Sequence, residues 1–110
     1  MESMERAIKD LMSLQIKALD SMMENLQDEE LAIISNDRVM MEKVLGSRVV
    51  IVESIAECQM MLGMEMGKID LDTYRKGEVA EMNERILWMT AQINKRNNRN
   101  KMLLKMRLHI

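Results

Sequence analysis

The only thiol of this 110-residue sequence is Cys58 and the only imidazole is His109. A thiolate–imidazole pair is formally available, but Cys58 falls in the apolar stripe of a helix and His109 sits beside the last residue. They read as a core thiol and an exposed terminal imidazole. Cys58 has no second cysteine to bridge to and no zinc or redox spacing around it, which fits a reducing compartment. Asp28, Glu29 and Glu30 bring three carboxylates together, yet no glutamate-plus-histidine partner on another helix completes a two-metal site, so they read as a solvated face. Gly46, Gly63, Gly67 and Gly77 are scattered rather than gathered into a phosphate-cradling loop. No catalytic residue, metal ligand or cofactor site is expected, and the chain is expected not to be an enzyme.

What stands out is methionine. There are 15 among the 110 residues, with Trp88 and Tyr74 the only aromatic side chains and neither phenylalanine nor proline. The thioether is unbranched and polarizable, so it fits irregular apolar surfaces, including those that accept variable amphipathic helices. Met12, Met23, Met41 and Met89 fall on helical seams and are assigned to the core. Met60, Met61, Met64 and Met66, with Met102 and Met106, fall off the seams and are candidates for a contact surface.

The elements that would position these residues are helices. An apolar fraction of 47% is too high for a disordered chain and lacks the β-branched and aromatic alternation of sheets. Without proline, long helices have few breakers. From about residue 4 to 34 the series Met12, Ile16, Leu19, Met23, Leu26, Glu30, Ile33 steps by four and three, a coiled-coil seam with one acidic interruption. Ser35, Asn36 and Asp37 supply turn and N-cap chemistry. A second helix, about 37–66, carries Met41, Val44, Arg48, Ile51, Ile55, Cys58 and Leu62. So short a turn folds the two back antiparallel. Gly67 to Asp72 reads as a connector with Asp70 or Asp72 as the next N-cap, and a third helix, about 73–107, carries Val79, Met82, Ile86, Met89 and Ile93. Gly77 is expected to fray or shift its start. The expected fold is all-α: one domain over residues 1–110, a long antiparallel hairpin plus a third long helix in a coiled-coil-like bundle.

Charge is unevenly spread. The formal net charge is −2, but residues 1–74 sum to −8 and residues 95–110 to +6. Such a basic end either folds onto the acidic body or serves a partner. Continuing the third stripe past Ile93 puts Asn97 and Asn100 on the seam, where asparagines either set register by hydrogen bonding across helices or, if the third helix leaves its neighbours near Asn94, are simply wet. Beyond them Met102, Leu103, Leu104, Met106 and Leu108 alternate with Lys101, Lys105 and Arg107, a basic amphipathic end. The N-terminal residues, with Glu2, Glu5 and Asp10, do not form a signal or transit peptide, and the longest aliphatic run is only Val49 to Val52. A cytoplasmic location without membrane insertion is expected.

Glu29-x-x-Ala32-Ile33-x-x-x-Asp37-x-x-Met40-Met41-x-x-Val44-Leu45, with Arg48 following, and later Ile93-Asn94-x-x-Asn97-x-x-Asn100-x-x-Leu103-Leu104, form a pattern over roughly residues 20 to 105. It resembles the FlgN-type family of flagellar export chaperones. The resemblance implies a bacterial cytoplasmic protein that binds the C-terminal amphipathic helix of hook-filament junction subunits. It would keep them unassembled and deliver them to the flagellar type III export machinery, as a monomer or homodimer. On this reading the client surface comprises Trp88, Met102, Leu103, Leu104, Met106 and Leu108, with the basic end favouring acidic clients. Two other readings remain open: a coiled-coil assembly or adaptor protein acting by self-association, and a binder of nucleic acid or anionic lipid through residues 95–110. The acidic remainder and the lack of aromatic readout residues weigh against nucleic acid.

Overall fold

The computed structural model describes residues 2–68 and 77–108. Among these the fold is all-α, with helices α1 (Glu2–Ser35), α2 (Arg38–Met66) and α3 (Gly77–Leu108) and no strand. The expected connector and N-cap residues, Asp70 and Asp72, lie outside the described residues. The molecule is a rod measuring 57 × 20 × 16 Å, close to the roughly 50 Å that 34 residues span at about 1.5 Å each.

The hairpin turn is made by two residues. Asn36 adopts φ 55°, the left-handed conformation that asparagine tolerates better than most side chains. The Asp37 N–H then reaches back to the Ala32 carbonyl at 2.9 Å and the Asn36 N–H to the Ile33 carbonyl at 3.2 Å. These two bonds are the Schellman closure, which satisfies carbonyls that the end of α1 would leave open. Asp37 in turn caps α2, its Oδ1 accepting from the Met40 N–H at 3.0 Å. One helix therefore ends and the next begins within a single turn.

α1 is the common partner of the other two helices, which barely touch each other. Ion pairing of Lys9 with Glu78 at one end of the rod and the Arg107 bond to the Ile34 carbonyl at the other make α3 parallel to α1. α2 runs against both. The apolar core gathers Ile8, Met12, Ile16 and Leu19 of α1, Leu62 of α2, and Val79, Ile86 and Met89 of α3. Each such side chain contributes roughly 1.5–3 kcal/mol on burial. α3 starts at Gly77 with φ 66°, a conformation that glycine takes without the Cβ penalty, and no atom lies within 4 Å of where a Cβ would stand. The glycine thus opens the helix rather than weakening its interior.

Candidate functional site

Toward the hairpin-turn end of the rod the stripes turn polar, and there the three helices are hydrogen-bonded together. Arg48 of α2 donates from Nε to the Asn25 Oδ1 at 2.8 Å and from Nη1 to the Glu29 Oε2 at 2.9 Å. Asn25 Nδ2 donates to the Val44 carbonyl at 2.8 Å. From the other side Asn100 of α3 donates through Nδ2 to the Glu29 Oε1 at 2.8 Å and to the Leu26 carbonyl at 2.9 Å. Glu29 thus takes a donor from each neighbouring helix. Next to it Glu30 pairs with Arg99 at 2.9 Å. Burial is what gives these bonds consequence, since a buried polar group left without a partner costs about 1–3 kcal/mol. Asn25 and Asn100 are both buried. One donor of the group, Arg48 Nη2, is buried without a partner.

This arrangement corrects the reading of Asp28, Glu29 and Glu30 as a solvated face. Asp28 is exposed, but Glu29 and Glu30 are half-buried and paired. Asn100 is buried in the cluster, whereas Asn97 is half-buried. Of the six residues assigned to a client surface, Trp88, Met102, Leu104 and Met106 are exposed and Leu103 is half-buried. Leu108 closes α3 and its side chain lies outside the described residues, as does His109. The basic end is folded onto the body: Arg99 and Arg107 both reach α1. Met66, expected at the surface with Met60, Met61 and Met64, packs against the core, while the other three are exposed.

Sequence periodicity did not single out the outward side of α2. Its seam residues face α1, yet Leu45, Val49, Val52 and Met60 on one flank and Val50 and Met61 on the other are exposed large apolar side chains. A helix apolar around most of its circumference is ordinarily buried all round. Here only one face is. The signal was present in the run Val49 to Val52, which no single helical face can bury whole because successive residues point about 100° apart.

On the Val50 and Met61 flank, α1 and α2 enclose a groove. Its apolar end, about 510 Å³, is lined by Leu11, Leu14 and Ala18 of α1 and Val50, Ile51, Cys58 and Met61 of α2. A second stretch of about 420 Å³ continues it and shares Ser21 and Ile51, with Glu24, Asp28, Lys43 and Ser47 along it. Burial pushes the Cys58 thiol above its ordinary range, and the nearby Glu57 charge adds to that. Such a thiol stays protonated and reacts slowly.

Among the described residues no group of three or more His, Cys, Asp or Glu is placed to hold a metal ion. No helix there is long and apolar enough to cross a membrane. Compared with known proteins, the chain matches no family model, no curated protein and no solved structure.

Proposed function

We propose that this chain is a non-catalytic, cytoplasmic export chaperone. On this reading it binds the C-terminal amphipathic helix of flagellar hook-filament junction subunits and holds them unassembled for type III export. The observation that carries the proposal is the outward side of α2, where large apolar residues stay exposed after α1 has taken its share. Large apolar residues left exposed along one helix mark a binding face, and the amphipathic helix of an unassembled client needs such a face to shield it. Methionines at its edge, Met60, Met61 and Met64, adapt to differing partners. The pattern that resembles FlgN-type chaperones adds support, because three of its residues, Glu29, Arg48 and Asn100, share one hydrogen-bonded cluster.

A second reading, self-association, is favoured by the row Leu45, Val49, Val52, Ala56, whose steps of four, three and four are those of a coiled-coil seam. Sedimentation combined with titration of a peptide from the C-terminal helix of a junction protein separates the two. A monomer that binds the peptide, and not a scrambled version of it, supports the chaperone. A concentration-dependent dimer that ignores the peptide replaces the chaperone reading with self-association.

A further inference from the structure

We propose that the α1–α2 groove is the docking site, and that its occupant is a helix of another protein whose apolar stripe is flanked by lysine or arginine. This deepens the helix-binding reading above and rests on it.

Shape comes first. The groove runs along α1 from Leu11 to Asp28, a span of about 25 Å at roughly 1.5 Å per residue, enough for about 17 residues of a docked helix. Two helices wall it, so a third lying in it is touched from both sides, as in other helix-in-groove complexes. Leu14 and Val50, on opposite walls, are 54% and 64% exposed in the free chain. The exposed apolar residues of α3 offer less enclosure: Leu104 borders a hollow of only about 160 Å³ beside the hairpin turn. Trp88, Met102 and Met106 recur at spacings of fourteen and four along the outer side of one helix.

Charge then selects the occupant. Glu24, Asp28 and Glu57 line the groove against Lys17 and Lys43. The two helices that form it, α1 and α2, carry twelve acidic and six basic side chains. The basic excess of the described residues lies on α3, where Arg99 and Arg107 are already engaged with the C-terminal end of α1. A basic helix therefore meets a complementary rim, and an acidic one meets repulsion. This reverses the preference for acidic clients expected from the basic end alone.

Two residues report separately on the two candidate surfaces. Cys58 lies in the groove and Trp88 on α3. The probes are two synthetic helical peptides with one leucine stripe and no tryptophan or cysteine, one flanked by lysine and arginine, the other by glutamate. The basic peptide is expected to slow modification of Cys58 by an aromatic disulfide about tenfold and to leave Trp88 emission unmoved. At low salt the acidic peptide is expected to bind about tenfold more weakly. Val50→Glu should abolish binding with helicity unchanged; if that variant does not fold, Leu14→Glu on the opposite wall takes its place. Binding with an unaltered Cys58 rate, or with a Trp88 blue shift, overturns the groove and leaves helix binding standing on α3. Equal affinities overturn the charge selection. If neither designed peptide binds but a junction-protein peptide does, the groove proposal fails and the chaperone reading survives. If none of the three binds, both fall.

Discussion

The two halves of α1 are held differently. Toward the N-terminus Ile8, Met12, Ile16 and Leu19 meet apolar side chains of both neighbours. Toward the C-terminus the same helix still buries Leu26, Ala32 and Ile33, but it adds Asn25, Glu29 and Glu30, and its neighbours answer with Arg48, Asn100 and Arg99. Apolar burial scales with area and has no direction, so it sets how firmly helices adhere while tolerating small slides. Hydrogen bonds of 2.8 to 2.9 Å do not tolerate them, because a shift of one residue separates every donor from its acceptor. Apolar burial therefore supplies most of the stability and the polar cluster the register. A single glutamate, Glu29, ties the register of α2 to that of α3.

The largest effect should come from the apolar half. Met12 is 1% exposed, and Met12→Ala is expected to cost about 3 kcal/mol in urea denaturation followed by circular dichroism. If it costs less than a substitution in the polar cluster, the division of labour is reversed.

A smaller, non-additive effect is expected from the cluster. Glu29→Leu and Arg48→Met should each cost about 2 kcal/mol, because each strands the other's buried polar atoms. Their side chains remain 12% and 21% exposed, which keeps the figure below that of a dry ion pair. The double variant should be less destabilised than the two losses added together. Strict additivity would mean that the two residues do not act as a pair.

The smallest effect belongs to the exposed tie between Lys9 and Glu78. The hydrogen bond to Glu78 raises the lysine above its ordinary value of 10.5. A raised folded-state value means that the contribution is fully present below 10.5 and is lost as pH climbs through the folded value. Stability curves of the natural chain and of Lys9→Gln should therefore show a slight gap at neutral pH that closes in strong alkali. A gap that persists there would assign Lys9 a packing role.

Much of the fold was legible because helical periodicity names a face. Spacing alone puts Met41, Val44, Arg48, Ile51, Ile55, Cys58 and Leu62 on one seam of α2, and all are buried or half-buried. The short side chains of Asn36 and Asp37 likewise announced the turn. The polar cluster was only half legible. Arg48, Glu30 and Asn100 stood on seams as interruptions, but Glu29 lies just off the α1 seam, so nothing in one helix's spacing marked it as the shared acceptor. Leu104 shows the limit of spacing: it continues the α3 stripe yet is 44% exposed, because α2 and α3 barely touch.

By itself the sequence determined the helices, their turn and the inward face of each, since these follow from local backbone chemistry and from spacing along one chain. Tertiary structure alone decided which polar residues meet, that the basic end closes onto α1, and that the far side of α2 stays uncovered. Those outcomes depend on how three rods are set against one another, and a buried charge or an open groove exists only between elements, never within one.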